Sequence, residues 1–197
     1  MSKLFHIYKG LLHKRPFVTN VMTTCAFMTT GDLISQTIVQ RNQGYDFGQT
    51  ARFSLAGLIF VGPAVRGFLV AIDKMFGPTI GLRVLGKKLL VDQVCCAPVF
   101  LACNISVLTV LKTHSFDQVE AELRKNYTSL LKLNYTFWPF VQVINFYFIP
   151  LTYRVLFGST AALLWNTLFS YRLYNKRKMV KHFEEMFDQS RPGFRRP

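Results

Sequence analysis

Four charged side chains lie inside or at the ends of the apolar segments of this 197-residue chain: Asp32, Arg66, Asp92 and Arg154. Two are acids and two are bases, so the set can neutralise itself. An ionised side chain in a hydrocarbon environment is costly unless it is paired or hydrated. The four residues are therefore interpreted in one of two ways: as ion pairs that hold helices together, or as the lining of a polar path for ions or small solutes.

Other polar residues extend this set. Lys88 and Asp92 are four residues apart, a spacing at which opposite charges pair on one face of a helix. Glutamine and asparagine amides both donate and accept hydrogen bonds, so they can connect the charges. The predicted intramembrane network comprises Asp32, Gln36, Arg66, Lys88, Asp92, Gln93, Gln142, Asn145 and Arg154.

Signatures of enzymes and of metal centres are missing from the sequence. It contains no GxSxG, HExxH, GxGxxG or phosphate-binding-loop motif. The four cysteines show no CxxC spacing and lie in apolar runs, where cysteine behaves as a small hydrophobe. We therefore expect no catalysis, no cofactor, no bound metal and no disulfide.

The elements that must position the polar residues are apolar enough to lie in a membrane. Half of the residues are hydrophobic and only 17% are charged, against about 25% in ordinary soluble domains. Residues 133–171 contain a single charge, Arg154, yet they also contain the helix breakers Pro139, Pro150 and Gly158. Such residues persist in lipid where helices pack on each other or line water. The pattern predicts an all-α integral membrane helical bundle with a polar interior.

The run of apolar and polar segments predicts four transmembrane helices in one domain over residues 1–171. An amphipathic helix over 1–15 precedes the first span, a Gly/Pro-rich loop covers 73–88, and a soluble helical segment covers 112–132. Four spans place most of the 24 lysines and arginines on one side, together with both termini. The predicted spans are 17–40, 50–72, 89–111 and 134–153, followed by a helical continuation over 156–171 and a basic, partly disordered tail over 172–197.

The net charge of +14 and the basic tail indicate which kinds of partner the protein can bind. Besides the bilayer itself, anionic lipid is the favoured partner of the tail, because each Lys or Arg near an anionic surface contributes about 1 kcal/mol. A protein partner is an alternative. Nucleic acid is disfavoured, because no aromatic-interleaved platform accompanies the charges. A homo-oligomer is left open. The N-terminal region has no acidic residue before Asp32, and it is compatible with either mitochondrial import or an interfacial helix.

The ordered residues resemble the peroxisomal membrane protein twenty-two / Mpv-seventeen family over about residues 5–171. Trp138-Pro139 followed by Gln142 and Asn145 is the most specific part of the resemblance. The chain departs from the usual pattern at Phe5, where the family mostly has Trp, and at residues 66–69. The other matching residues are Gly31, Asp32, Gln36, Gly62, Pro63, Lys88, Asp92, Gln93, Pro98, Phe146, Pro150, Arg154, Trp165 and Ser170.

The resemblance implies a small four-helix protein of the mitochondrial inner membrane or, alternatively, of the peroxisomal membrane. It implies a channel-like activity for ions or small metabolites that supports membrane homeostasis, reactive-oxygen control and mitochondrial DNA maintenance. The competing function is a non-conducting scaffold whose basic tail recruits the mitochondrial ribosome or nucleoid. Helix packing is assigned to Gly62, Pro63, Pro98, Trp138, Pro139, Pro150 and Trp165.

Overall fold

Helices account for nearly all of the chain that the computed structural model describes, which comprises residues 3–39, 44–79 and 81–165. No strand occurs within these residues. The predicted tail over 172–197, and the end of the predicted continuation, lie outside them. The helices are α1, Lys3–Lys14; α2, Pro16–Ile34, which continues as a π-helical turn over Ser35–Val39; α3, Phe47–Phe76; α4, Leu82–Thr113; α5, Asp117–Tyr147; and α6, Arg154–Trp165.

Local sequence explains where the helices begin and end. Pro16 stands at the first position of α2, where its missing N–H costs nothing. Asp46 caps α3, since its carboxylate accepts a hydrogen bond from the backbone N–H of Gln49 at 2.9 Å. Between α3 and α4, Gly77 and Gly81 have φ angles of 69° and 86°, which only glycine adopts without strain.

Wider π-helical turns interrupt α3 and α4, and each lies just before a proline. They cover Gly57–Val61 and Val91–Cys96, and Pro63 and Pro98 follow them. Proline lacks an N–H and crowds the carbonyl four residues earlier. The N–H of the residue before each proline bonds the carbonyl five residues back, so each helix passes its proline without stopping.

Consecutive helices from α2 to α6 run antiparallel. Thr29 contacts Ser54 between α2 and α3, Phe60 stacks on Phe100 between α3 and α4 at 5.6 Å, and Tyr135 reaches Gln93 between α5 and α4. The bundle therefore has two ends. We call the end with the loop between α3 and α4 the first end, and the end with the loop between α2 and α3 the second end.

Helix α6 turns back along α5 instead of continuing it. At its start Arg154 lies over the Phe146 ring, 5.6 Å from the ring centroid. At its end Trp165 lies 6.2 Å from Trp138, ring centroid to centroid. The predicted continuation from 156 is expected to be broken or tilted relative to the span over 134–153, and its described part runs antiparallel to α5. The chain breaks over 148–153, around Pro150, and the described part of the continuation returns toward the second end.

Two predicted connections are also shorter than expected. The Gly/Pro-rich loop predicted over 73–88 covers only residues 77–81 in the structure. Residues 73–76 end α3, and Gly86 takes a helical conformation inside α4. The soluble segment over 112–132 does not stand apart. It merges with the apolar segment after it into α5, which runs for 31 residues straight through Pro139.

Within the described residues, two helices are long and apolar enough to cross a membrane: α3, with 30 residues, and α4, with 32 residues. The most apolar 18 residues of each have a mean hydropathy of 2.0 and 2.2, respectively. On the outer side of α4 the apolar side chains of Val94 and Val99 are 64% and 63% exposed, so this face points out of the protein. Many Ser and Thr hydroxyls donate to the carbonyl four residues earlier, as Thr29 does to Cys25. Such bonds satisfy hydroxyls inside a helix, as a membrane environment requires.

Close backbone packing joins α2 to α3. A Cβ added to Gly57 would lie 3.1 Å from the Cα of Cys25, and one added to Gly62 would lie 3.0 Å from the Cα of Val21. Small residues at such positions let two helices approach, which strengthens dispersion contacts in the absence of a hydrophobic driving force. At the first end, α3, α4, α5 and α6 enclose a small apolar cluster of Leu69, Ile72, Leu85, Phe146 and Val155.

Candidate functional site

A carboxylate shared by two cations closes the first end of the bundle. Oδ1 of Asp73 accepts hydrogen bonds from the Lys88 ammonium at 2.5 Å and from Nη1 of Arg154 at 2.6 Å. The Lys88 side chain is completely buried, and that of Arg154 is 6% exposed. The three groups join α3, α4 and α6, and they carry one positive charge in excess.

Arg154 is held in place by further contacts. Its Nε donates to the carbonyl of Ile149 at 2.9 Å, and its guanidinium lies over the Phe146 ring. A cavity of about 520 Å³ opens beside it, and Asp73 and Arg154 contribute to its walls. The chain segment over 146–151 supplies most of the remaining lining. We call this cavity at the first end, lined by Asp73, Arg154 and residues 146–151, together with the Lys88 side chain that bonds Asp73, the vestibule.

Deeper in the bundle, a polar seam lies between α4 and α5. Asp92 is 6% exposed, and its Oδ2 accepts hydrogen bonds from Nε2 of Gln93 at 2.6 Å and from Nε2 of Gln142 at 3.0 Å. The side chain of Asn145 donates in turn to Oε1 of Gln142 at 3.1 Å. No cation lies within ion-pair distance of Asp92 in the part of the chain that the structure describes, so only neutral amides contact this carboxylate.

Several buried polar atoms of the bundle have no protein partner in the described ranges. Oε1 of Gln93 and Oδ1 of Asn145 flank the seam, and Nη1 of Arg66 and both side-chain polar atoms of Asn20 lie elsewhere among the helices. A buried polar atom without a partner costs about 1–3 kcal/mol, and ordered water usually relieves this cost. The seam is therefore a place where water or a polar solute is stabilised.

The π turn in α4 also creates a contact to α5. Because the N–H of Ala97 bonds the Asp92 carbonyl and Pro98 has no N–H, the carbonyl of Gln93 loses both of its helical donors. The hydroxyl of Tyr135 donates to it at 2.9 Å. The same turn thus leaves a backbone carbonyl next to Asp92 without a helical donor, and the Tyr135 hydroxyl links this carbonyl to α5.

A third polar cluster lies at the second end and links α2 to α3. Asp32, 4% exposed, accepts hydrogen bonds from Nε2 of Gln36, Nε2 of Gln49 and the hydroxyl of Thr50. Oε1 of Gln36 accepts from the backbone N–H of Asp46 at 2.7 Å. These bonds fasten the ends of two helices, and no charged partner contacts Asp32 within the described residues.

The structure divides the residues of the predicted network among these places. Asp32 and Gln36 lie at the second end, Asp92, Gln93, Gln142 and Asn145 form the seam, and Lys88 and Arg154 belong to the vestibule. Arg66 forms no side-chain hydrogen bond or ion pair with any of the three clusters within the described residues, and its Nη1 is buried without a partner. Lys88 pairs with Asp73 rather than with Asp92, because the π turn that begins at Val91 alters the helical phase after Lys88.

The predicted packing residues lie in varied surroundings. Gly62 touches α2 directly, and Pro63 and Pro98 each follow a π turn. Trp138 and Trp165 meet between α5 and α6. Pro139 lies inside α5, and Pro150 lies in the turn before α6.

Sequence reasoning missed Asp73 and Tyr135 as site residues. Asp73 was assigned to a loop, yet it lies in the last turn of α3. A signal was present: a buried Lys88 and a buried Arg154 need an acid, and Asp73 is the acid that ends the second apolar run. Tyr135 gave no signal, because its partner is a backbone carbonyl that only the π turn exposes.

Fold and site together define an all-helical integral membrane protein whose helices enclose charged and amide side chains. Comparison with known proteins supplies the family. Residues 109–170 match the model of the Mpv17 / PMP22 family, and relatives more than 30% identical align with most of the chain. The chain belongs to the Mpv17 / PMP22 family.

The relatives are similar in length as well as in sequence. The chain is 36% identical over 174 residues to the mitochondrial inner membrane protein Mpv17 of Xenopus laevis, with 87% of this chain and 98% of the relative covered. It is 35% identical over 173 residues to Mpv17 of Homo sapiens, with the same coverage. It is 30% identical over 191 residues to Protein SYM1 of Saccharomyces cerevisiae, with 92% and 97% covered.

No solved structure matches the chain. Its relatives identify the membrane, since those named Mpv17 are mitochondrial inner membrane proteins. The protein is accordingly a mitochondrial inner membrane protein, and the peroxisomal alternative is not needed.

Proposed function

We propose that the protein forms a channel-like pathway for ions or small metabolites across the mitochondrial inner membrane. The observation that carries this proposal is Asp92, a buried carboxylate in an apolar helix. Within the described residues, its side-chain hydrogen-bond partners are the amides of Gln93 and Gln142 alone. A structural ion pair would bring a cation to this carboxylate. An unpaired carboxylate beside partnerless amide oxygens is instead suited to a hydrated path. We infer transport, rather than catalysis, as the activity.

The vestibule provides an entrance to this pathway. The cavity of about 520 Å³ lies at the first end, and Lys88 in the vestibule is one helical turn from Asp92 in the seam. Solutes that enter beside Arg154 would meet Asp92 next, followed by the Gln93 carbonyl region. Membrane homeostasis, reactive-oxygen control and mitochondrial DNA maintenance would then follow from the solutes that this pathway exchanges.

We further propose that α2, α3, α4 and α5 are the four crossings. With their π turns they span about 35–48 Å at 1.5 Å per residue, more than the roughly 30 Å of a bilayer core. The 12 described residues of α6 span about 18 Å. We propose that α6 does not cross the membrane, because four crossings keep most lysines and arginines on one side. The bundle is proposed to contact lipid directly, with anionic lipid at the basic tail and self-association as a further form of assembly.

Labelling of introduced cysteines tests this topology. Cysteines placed at Lys3 and at Lys181, in a chain whose own cysteines are replaced by serine, should react with a membrane-impermeant maleimide from the same side of sealed vesicles. The reason is that an even number of crossings returns the chain to its starting side, together with most of its lysines and arginines. Reaction from opposite sides would show that α6 crosses as a fifth span.

Asp92→Asn tests the pathway itself. A cation about 10 Å from a carboxylate gains about 1.7 kcal/mol at an effective dielectric constant of about 20. Loss of the charge should therefore lower cation permeability by more than about tenfold and raise anion permeability by a similar factor, so the cation-to-anion permeability ratio should fall by more than about a hundredfold. The measurement is the reversal potential of the purified protein in planar bilayers under a salt gradient.

Asp32→Asn is the matched control for this experiment. Asp32 is as buried as Asp92 and is likewise held by neutral donors, but it lies at the second end between α2 and α3. Its replacement should leave the permeability ratio unchanged. If the purified wild-type protein never conducts, the non-conducting scaffold becomes the better account, and recruitment of a partner by the basic tail becomes the activity to measure.

A further inference from the structure

A shallow groove of about 340 Å³ runs along the outer face of the first turns of α4. Its lining includes the apolar side chains of Leu82 and Leu90, which are 77% and 64% exposed. Arg83 and Lys87 lie between these leucines in sequence and line the same groove. The groove therefore combines exposed apolar surface with two cationic groups at the first end of the bundle.

Gly86 opens the groove. A Cβ added there would meet no atom within 4 Å, so the helix surface is bare at this position. Leu82 and Leu90 stand four residues before and after Gly86 and share its helix face. The missing side chain leaves a trough between two projecting leucines, which is a shape that a hydrocarbon chain can fill.

The charges of the groove are not matched by any other residue that the structure describes. Arg83 and Lys87 are exposed and four residues apart, so their Cβ atoms are about 5–6 Å from each other. Neither makes an ion pair or a side-chain hydrogen bond within the described ranges, and no acidic residue lines the groove. Two adjacent free cations of this kind suit a phosphate-bearing ligand.

We propose that this groove binds one acidic phospholipid. Arg83 and Lys87 hold its phosphate head group, while an acyl chain lies over Gly86 against Leu90 and the apolar outer face of α4. Basic pockets between membrane helices bind phospholipid head groups of the cardiolipin type, and the two phosphates of such a lipid match the two cations of the groove. The site is independent of the basic tail and of the proposed pathway, because it faces lipid and shares no residue with the seam.

Mass spectrometry of the intact, full-length protein tests this binding. The protein is released from detergent after titration with cardiolipin, and phosphatidylcholine serves as the neutral comparison. Replacing both cations, Arg83→Gln with Lys87→Gln, should weaken binding of one cardiolipin molecule by about thirtyfold, since each cation contributes about 1 kcal/mol, or about fivefold. The basic tail is present in every variant, so lipid bound by the tail stays constant.

Gly86→Phe provides the second variant, because a Cβ there meets no atom within 4 Å and the ring can occupy the trough between the two leucines. It should remove the same bound lipid. The control is Gly67→Phe, at an exposed glycine of α3 that also has no atom within 4 Å of an added Cβ, and it should retain the lipid. Equal retention of cardiolipin by wild type, Gly86→Phe and the double glutamine variant would overturn the proposal. Equal retention of phosphatidylcholine and cardiolipin by the wild type would overturn it too.

Discussion

Asp73→Asn should lower the free energy of unfolding by about 3–5 kcal/mol, because it leaves Lys88 and Arg154 buried without a counter-charge. Both cations bond the same oxygen of Asp73, so one substitution removes the counter-charge of both. The loss would separate α3, α4 and α6 at the first end. The measurement is unfolding of the purified protein in mixed micelles as the fraction of denaturing detergent rises.

Two further variants test whether the lost stability comes from the two unmatched cations. Lys88→Met in the Asp73→Asn protein removes one of the unmatched cations and should recover a large part of the lost stability. Glu120→Gln breaks the exposed pair with Arg124, whose side chains are 72% and 80% exposed, and should cost less than about 1 kcal/mol. An Asp73→Asn protein as stable as the Glu120→Gln protein would contradict the role given to the shared carboxylate.

Gly62→Ala is expected to have the second large effect. The new Cβ would lie 2.8 Å from the carbonyl oxygen of Gly57 and 3.0 Å from the Cα of Val21. Both contacts are to backbone, which cannot rotate away as a side chain can. Overpacking of this kind costs about 1–3 kcal/mol, and here it would push α2 away from α3. The same unfolding measurement should show it.

Gly67→Ala, five residues further along α3, is the control. A Cβ there meets nothing within 4 Å, and alanine favours a helix over glycine by about 1 kcal/mol. This variant should be as stable as the wild type or slightly more stable. If Gly62→Ala behaves in the same way as Gly67→Ala, α2 and α3 do not pack as closely as described.

The sequence predicted which residues are polar inside the bundle better than it predicted their partners. Low charge and the spaced motif around Gln142 and Asn145 indicated a polar-cored membrane bundle, because composition alone limits what lipid accepts. The pairing of Lys88 with Asp73 was not predictable from spacing, since a π turn at Val91–Cys96 changes the phase of α4. The return of α6 along α5 depends on the turn over 148–153. Hydropathy gives only the length of an apolar run, so it could not show where the chain turns within that run.

The apolar outer face of α4 also has a thermodynamic consequence. This face is exposed in the folded bundle, so it remains in contact with lipid whether or not the helices separate. Heat-capacity changes of unfolding arise when apolar surface becomes exposed to water. Separation of these helices within a bilayer should therefore have a small heat-capacity change, and the stability of the bundle should vary almost linearly with temperature.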